Sequence, residues 1–250
     1  MGDVKKDTSV NRRDFIKGVS VATAVGAGAA AMPKAARAAT KDRRPQYGML
    51  IDLRRCTGCH ACSVSCKAEF DVPLGVTRSW VEYVEKGEYP NVSRHFLPRL
   101  CNHCRHPICV DVCPTGATWK RKKDGIVVID PDICIGCKYC VLACPYDARF
   151  INPVTGAADK CDFCLHRVEK GLVPSCVNTC IGGARIFGDL NDPDSEISKM
   201  MAANPVSVLR PEKGTEPNVY YIAADHSDEH ETRRGRYVRV TTHRLQEERR

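Results

Sequence analysis

Aromatic side chains and long apolar runs are scarce in this sequence of 250 residues. Phe, Trp and Tyr together make up 6% of the chain, and only two residues are Trp. A membrane-spanning helix needs roughly 20 consecutive apolar residues, and the nearest candidate, residues 18–32, is shorter and consists mostly of Ala, Gly and Val. We therefore expect no transmembrane helix, and a core that large apolar side chains alone do not build.

Familiar catalytic patterns are missing as well. The chain has no glycine-rich phosphate loop and no clear constellation of Ser, His and Asp. These absences argue against nucleotide-dependent chemistry and against hydrolysis by a serine nucleophile. We assign no catalytic residue and no substrate site to this chain.

Cysteine is the residue that the chain has in excess, with 16 copies. They fall into four groups of four with none left over, and we call the segments 56–66, 101–113, 134–144 and 161–180 loops one to four. The groups are Cys56, Cys59, Cys62 and Cys66; Cys101, Cys104, Cys109 and Cys113; Cys134, Cys137, Cys140 and Cys144; and Cys161, Cys164, Cys176 and Cys180.

Loop three has the spacing C-x2-C-x2-C-x3-C-P, which is the bacterial iron–sulfur pattern. Three of its cysteines bind one cluster and the fourth binds a different one, so a single pattern implies at least two clusters. Gly136 can adopt the positive φ that so tight a loop often needs. Loop one has the same cysteine spacing, while loops two and four lengthen the middle gap to four and eleven residues.

Two other uses of cysteine compete with iron–sulfur binding. Disulfide frameworks occur mostly in much shorter exported chains, and cysteines two residues apart are poorly placed to bridge outward. Zinc ribbons use two Cys-x2-Cys pairs, whereas the triplets here supply a third nearby thiolate that zinc does not need. The spacing therefore favours iron–sulfur clusters over both.

The N-terminus resembles an export signal. Arg12 and Arg13 form a twin-arginine motif, and Ala36-Arg37-Ala38 matches an A-x-A cleavage site. The alternative is an ordinary amphipathic helix with a chance Arg pair. Because clusters are assembled before export, a twin-arginine route for folded proteins fits the cysteine pattern. We expect a signal peptide at residues 1–38 and a periplasmic protein, attached to the membrane through a partner.

Alternating and turn-flanked segments predict an α+β fold. Asp124-Gly125 between two apolar runs signals a β-hairpin, and residues 79–85 are expected to form a surface strand broken by Gly87 and Pro90. Beyond residue 225 the chain is a highly charged tail. Strands are predicted at residues 46–53, 79–85, 118–121, 126–129, 149–152, 184–188 and 218–222, and helices within 165–175 and 194–203.

In a two-cluster ferredoxin the fourth cysteine of each loop crosses to the partner cluster. The adjacent loops two and three then pair, and loops one and four pair around them. This plan predicts two nested two-cluster, bacterial-type ferredoxin-like domains with loop insertions: an inner domain at 99–145, an outer domain at 39–98 and 146–190, and a C-terminal extension at 191–250. The ligand sets are Cys56, Cys59, Cys62 and Cys180 (set one); Cys66, Cys161, Cys164 and Cys176 (set two); Cys101, Cys104, Cys109 and Cys144 (set three); and Cys113, Cys134, Cys137 and Cys140 (set four).

Charge supports a metal-binding interpretation. The formal net charge is +8, of which residues 39–250 carry +4, and four [4Fe–4S] cores with thiolate ligands would add about −8. The basic balance thus offsets cluster charge, and we expect no nucleic-acid partner. Candidates for tuning the clusters, unless they are merely loop-surface side chains in water, are His60, His103, Arg105, His106 and Lys138.

Several segments resemble a known family: Leu97-Pro98-Arg99-Leu100-Cys101-Asn102-His103-Cys104, Ala143-Cys144-Pro145-Tyr146-Asp147-Ala148-Arg149-Phe150 and Ala158-Asp159-Lys160-Cys161-Asp162-Phe163-Cys164. With the loop order and the N-terminal signal, they look like the four-cluster electron-transfer (beta) subunits of the molybdopterin, or dimethyl sulfoxide reductase, family. Within it, Met49-Leu50-Ile51-Asp52-Leu53-Arg54-Arg55-Cys56 and Cys180-Ile181-Gly182-Gly183-Ala184-Arg185-Ile186 resemble most the beta subunits of tetrathionate reductases.

The resemblance implies a non-catalytic electron conduit. It would relay electrons between an integral-membrane quinol-oxidising subunit and a molybdopterin catalytic subunit that reduces a sulfur oxyanion such as tetrathionate. Some relatives replace one cysteine and carry a three-iron cluster, whereas all sixteen positions are cysteine here, so we expect four [4Fe–4S] clusters. The alternatives are a free polyferredoxin carrier, the periplasmic iron–sulfur subunit of a sulfite-reduction-associated cytochrome and quinone membrane complex, and a zinc-stabilised scaffold.

Overall fold

The computed structural model describes residues 44–224. The predicted signal peptide at 1–38 and the charged tail beyond residue 225 lie outside these residues. The strands are β1 (Tyr47–Asp52), β2 (Ser79–Glu88), β3 (Asn91–Leu100), β4 (Thr118–Lys120), β5 (Val127–Ile129), β6 (Phe150–Ile151), β7 (Ala158–Asp159), β8 (Arg185–Asp189), β9 (Val206–Ser207) and β10 (Val219–Ile222). The helices are α1 (Ala61–Phe70), α2 (Ile108–Asp111), α3 (Tyr139–Ala143), α4 (Leu165–Val168), α5 (Ser175–Asn178) and α6 (Glu196–Ala203).

A four-stranded sheet joins segments that are far apart in the sequence, in the order β8-β1-β10-β9. The central strand β1 pairs antiparallel with β8 and parallel with β10, so that Leu50 lies opposite both Ile186 and Tyr220. Strand β9 adds an antiparallel edge to β10. The predicted outer domain and the predicted C-terminal extension therefore share one sheet.

The two faces of this sheet pack against different parts of the chain. Successive residues of a strand point to opposite faces, and Leu50 packs with Ile197 of α6, whereas Met49 and Ile51 pack with the core that contains several loop cysteines. Helix α6 begins after Ser195, whose side chain accepts a hydrogen bond from the Ser198 N–H. The sheet thus separates α6 from the cysteine loops.

The longest ladder is the β2–β3 hairpin, in which each strand has ten residues. The sequence predicts a strand broken at Gly87 and Pro90, and the first of these breaks is wrong. Gly87, with φ of 93°, stays in the ladder opposite Val92, and Pro90 lies in the turn. The first half of β2 is buried and the hairpin tip is exposed, so this strand leaves the surface as it approaches the loops.

Short ladders and short helices frame the loops. The predicted hairpin around Asp124-Gly125 is confirmed as β4 and β5, and β6 pairs with β7. Helices α1, α2, α3 and α5 each contain cysteines of one loop, and α1 packs against α5 while α2 packs against α3. Within residues 44–224, no helix is long and apolar enough to cross a bilayer.

Candidate iron–sulfur sites

All four loops have the same local backbone feature. The residue immediately before the second cysteine has a positive φ: Gly58 at 71°, His103 at 43°, Gly136 at 67° and Phe163 at 57°. The expectation for Gly136 is confirmed. This conformation is easy for Gly and uncommon for other residues, so the recurrence marks a loop shape that the chain maintains four times.

Glycine is required at two of these positions for space as well as for conformation. A Cβ atom on Gly136 would lie 2.6 Å from the Gly156 carbonyl oxygen, and one on Gly58 would lie 2.5 Å from the Phe96 ring. Loops two and four instead use buried aromatic rings. His103 and Phe163 stack on each other with ring centroids 3.8 Å apart, which joins loop two to loop four.

Backbone amides point at several cysteine sulfur atoms. The N–H groups of Ala158, Phe163 and Ala184 donate hydrogen bonds to Cys134 Sγ at 3.3 Å, Cys161 Sγ at 3.4 Å and Cys180 Sγ at 3.2 Å. Hydrogen bonds to sulfur stabilise the thiolate form, and they are one of the means by which proteins adjust the potential of an iron–sulfur cluster.

The cysteines of predicted set three lie close to one another. Burial raises the pKa of Cys104 to about 12, and the neighbouring Cys101, Cys109 and Cys144 raise it further. Burial likewise raises the pKa of Cys109 to about 11, with further contributions from Cys101 and Cys144. Loop two and the end of loop three therefore contribute to a single group of sulfur atoms.

Predicted set two is also a group of neighbours. Burial raises the pKa of Cys66 to about 12, and Cys176 and Cys164 raise it further. Burial raises the pKa of Cys161 well above its ordinary value, followed by the effects of Cys66 and Cys176. The last cysteine of loop one thus lies among cysteines of loop four, more than 90 residues along the chain.

The remaining two sets are more open. Burial raises the pKa of Cys56, and Cys62 and Cys180 raise it further, whereas Cys59 of the same set is exposed. In set four Cys137 is exposed. Partial burial acts to raise the pKa of Cys113, but hydrogen bonds with Thr118 and Thr115 outweigh it and lower that pKa. No mutual effect joins the four cysteines of set four, so the complete ligand assignment stays a prediction.

The donor set fits iron–sulfur clusters. All sixteen cysteines are free of disulfide bonds, so the disulfide framework is not formed. Buried thiols with raised pKa values bind protons at neutral pH, and a metal core displaces those protons when the thiolates ligate it. Grouped thiolates with amide donors are the environment that iron–sulfur clusters use. Within residues 44–224, no three His, Cys, Asp or Glu side chains are arranged to hold a single metal ion.

Of the five side chains proposed to tune the clusters, one is fully buried. Arg105, His106 and Lys138 are exposed, and His60 is half-buried with its Nε2 2.8 Å from the Tyr83 hydroxyl. His103 accepts a hydrogen bond at Nδ1 from the Val127 N–H, which places the proton on Nε2.

His103 is neutral at physiological pH. Burial, followed by nearby cationic side chains that include Lys160, lowers the pKa of His103 well below its usual range. Its Nε2 is buried and has no hydrogen-bond partner among the described residues. A buried N–H without a partner is costly, and beside a cysteine loop it suits a cluster sulfur as acceptor.

Two further buried cations were missed by sequence reasoning. Arg149 and Arg185 both follow an Ala, and each is the fifth residue after the last cysteine of its loop. Arg149 donates from Nη2 to Cys109 Sγ at 3.0 Å, and Arg185 is buried beside Cys176 and Cys62. The repeated offset from Cys144 and Cys180 is the signal that could have found them.

Four loops of grouped thiols with amide donors, on a mixed helix-and-strand fold, define an iron–sulfur electron-transfer protein. Two family models, both described as a 4Fe–4S dicluster domain, match residues 55–118 and 92–190. Two dicluster domains and sixteen cysteines fit four [4Fe–4S] clusters.

Curated relatives extend this match over most of the chain. The iron–sulfur (beta) subunit of the tetrathionate reductase of Salmonella typhimurium is 48% identical over 231 residues, which cover 89% of this chain and 91% of that protein. The protein NrfC of Escherichia coli is 42% identical and covers 85% and 95%. The corresponding subunit of the selenate reductase of Mesobacillus selenatarsenatis is 43% identical and covers 71% and 72%. This chain belongs to the family of four-cluster iron–sulfur (beta) subunits of molybdopterin oxidoreductases.

Proposed function

We propose that this chain relays electrons through its four clusters between a membrane quinol-oxidising subunit and a molybdopterin catalytic subunit that reduces a sulfur oxyanion such as tetrathionate. The relatives are named as beta subunits of tetrathionate, selenate and dimethyl sulfoxide reductases and of a sulfite dehydrogenase. Tetrathionate is the first choice because the chain is 48% identical to a tetrathionate reductase subunit. The proposal includes the nested domain plan and the four ligand sets.

Helix packing supports the nesting. Helix α1 of loop one packs against α5 of loop four, and α2 of loop two packs against α3 of loop three. Loops two and three are consecutive in the chain and lie between loops one and four in sequence. These two contacts are the ones expected when an inner two-cluster unit is inserted into an outer one.

Neighbouring cysteines support a fixed order of clusters. Cys62 of set one raises the pKa of Cys176 in set two, after the larger effect of burial. Cys101 of set three similarly contributes to the raised pKa of Cys161 in set two. Because α2 packs against α3, set four adjoins set three. The proposed row is therefore one, two, three, four.

The observation that carries the relay function is where this row meets solvent. Among the sixteen cysteines two are exposed, Cys59 and Cys137, and they belong to the first and the last set. Clusters in the middle of the row are enclosed, while each terminal cluster has a surface where a partner could exchange electrons. A free carrier needs one such surface, and a conduit needs two.

Exposed apolar side chains accompany both ends. Ile181 and Val64 are exposed in the loops that supply set one, and Leu142 and Ile135 are exposed in loop three beside set four. Exposed apolar patches on a soluble surface commonly mark docking sites. Two separate patches support two partners.

The primary test is anaerobic purification of the native complex with metal analysis. We expect about sixteen iron atoms per chain, with molybdenum or tungsten in a larger partner. Haem without molybdenum would favour the cytochrome-linked membrane complex. A chain with full iron content and no partner would favour the free carrier, and zinc in place of iron would refute an electron-transfer role.

The two ends can be tested separately. Ile181→Glu and Leu142→Glu change residues that are 78% and 82% exposed, and Leu74→Glu changes a residue that is 90% exposed outside the cysteine loops. We expect each loop variant to lose a different partner on purification, while Leu74→Glu keeps both. If the two loop variants lose the same partner, or neither, the two-ended arrangement is wrong.

Export completes the proposal. Residues 1–38 are proposed to direct the folded, cluster-loaded chain to the periplasm by the twin-arginine route. Replacing Arg12 and Arg13 with Lys should leave the chain in the cytoplasm, whereas a single Lys17→Gln change should not. Cell fractionation with detection of the chain distinguishes the two results.

A further inference from the structure

Arg149 and Arg185 occupy equivalent positions in the two halves of the proposed row. Each is the fifth residue after the last cysteine of its loop, following Ala148 or Ala184. Loop two has Thr118 at this position after Ala117. The cation therefore occurs once in the inner pair of loops and once in the outer pair.

Arg149 lies between thiol groups of two different sets. Its Nη2 donates to Cys109 Sγ at 3.0 Å and to Thr118 Oγ1 at 2.8 Å. Cys109 belongs to set three, and Cys140 of set four also contacts this guanidinium. Burial alone would lower the pKa of Arg149, but the neighbouring cysteines raise it above its ordinary value.

Arg185 has the corresponding place in the outer pair. Its Nη2 donates to Ser79 Oγ at 2.9 Å, and its Nη1 lies 4.0 Å from Met49 Sδ. Burial opposes the charge, and Cys176 of set two and Cys62 of set one raise the pKa of Arg185. The side chain thus adjoins one cysteine of each outer set.

Neither guanidinium has a carboxylate partner. Within residues 44–224, no Asp or Glu forms an ion pair with Arg149 or Arg185, although their exposed fractions are 4% and 3%. A buried cation is costly unless negative charge compensates it. Arg149 Nη1 is also buried without a hydrogen-bond partner among the described residues. The thiolates are the negative groups that stabilise both cations.

We propose that Arg149 and Arg185 are positioning residues that set the reduction potentials of the inner and the outer cluster pair, each acting on both clusters of its pair. This inference rests on the proposed ligand sets. Reduction adds one negative charge to a cluster, and a fixed cation beside it stabilises the reduced form. Because the site is buried, the effect is screened much less than at the surface. Both potentials of a pair are therefore raised together.

The test is a redox titration, followed by electron paramagnetic resonance, of the full chain in its anaerobically purified complex. Arg149→Gln and Arg185→Gln remove one charge each, and Lys138→Gln removes an exposed cation of loop three as a control. Each buried-arginine variant should lower two of the four midpoint potentials by at least a tenfold change in the reduction equilibrium, about 59 mV for one electron. The two variants should shift different pairs, and the control should shift none.

Lysine variants separate charge from structure. Arg149→Lys and Arg185→Lys keep the positive charge and should retain most of the wild-type potentials. Unchanged potentials in the Gln variants, with all four clusters present, would overturn the proposal. Loss of a cluster in both the Gln and the Lys variant would also overturn it, because the arginine would then hold the loop together.

Iron content is measured on the same samples. A wild-type chain without about sixteen iron atoms would refute the proposed clusters rather than the role of the arginines. Sixteen iron atoms with unmoved potentials would refute the role of the arginines alone.

Discussion

A buried ion pair on the β2–β3 hairpin provides a sharp test of how the loops are anchored. Arg99 Nη1 lies 2.7 Å from Glu82 Oε1, with exposed fractions of 5% and 4% for the two side chains. Glu82 also accepts from Trp80 Nε1 at 3.2 Å, and Arg99 Nη2 donates to the Tyr146 carbonyl at 2.9 Å. The pair therefore ties the hairpin, which ends next to Cys101, to the segment after loop three.

The same hairpin contains a matched pair in water. Arg94 forms an ion pair with Glu85, and their side chains are 59% and 35% exposed. Removing one partner of a buried pair typically costs about 3–5 kcal/mol, because a buried charge loses its compensation. An exposed pair contributes about 0–1 kcal/mol. We expect Arg99→Met to destabilise the protein several times more than Arg94→Met does.

Unfolding releases the clusters, so stability is measured as a rate. The assay follows bleaching of the visible iron–sulfur absorption in guanidinium chloride under anaerobic conditions. If the full cost falls on unfolding, Arg99→Met bleaches about 10²- to 10⁴-fold faster, and Arg94→Met stays within about fivefold of the wild type. Equal rates for the two variants, at equal initial iron content, would refute the anchoring role of Arg99.

Three further predictions concern the loops. Gly136→Ala should reduce iron from about sixteen towards about twelve atoms per chain, because its Cβ would contact a carbonyl oxygen at 2.6 Å, whereas Gly156→Ala has no atom within 4 Å and should keep full iron content. Phe163→Leu removes ring contacts with His103 and Phe187, each worth about 0.5–1.5 kcal/mol. It should speed bleaching about tenfold, and an unchanged rate would contradict this. Iron removal should expose loop amides to hydrogen exchange before those of β1 and β10, whose packing uses aliphatic side chains of the sheet and α6; simultaneous loss of protection would contradict it.

Local chemistry made much of the fold and site predictable. The spacing of the cysteines, the positive φ of Gly136 and the turn at Asp124-Gly125 each depend on residues that are close in sequence. Strand alternation found β1 and β10, since both pack apolar side chains on the sheet. Patterns of this kind need no knowledge of distant parts of the chain.

Features that depend on distant segments were not predictable in the same way. Nothing near residue 91 signals the partner strand β3, because its first half is exposed and lacks alternation. Lys138 and Arg105 lie inside or beside loops yet are exposed. Arg149 and Arg185 lie outside the loops yet are buried, because the thiols around them come from other loops. A charge is assigned to a cluster only once the loops are placed together.

The central place of β1 in the sheet has a consequence for how the chain matures. Gln46, just before β1, donates its N–H to Asp189 Oδ1, 143 residues along the chain, and β10 lies further still. Contacts of such long range form late, whereas loops two and three are joined by one short hairpin. During synthesis, the inner pair of sites is complete before the outer pair has its second half. We expect cluster insertion to begin in the middle of the chain and to finish only when the last strand of the sheet arrives, so that a closed sheet reports a fully loaded protein.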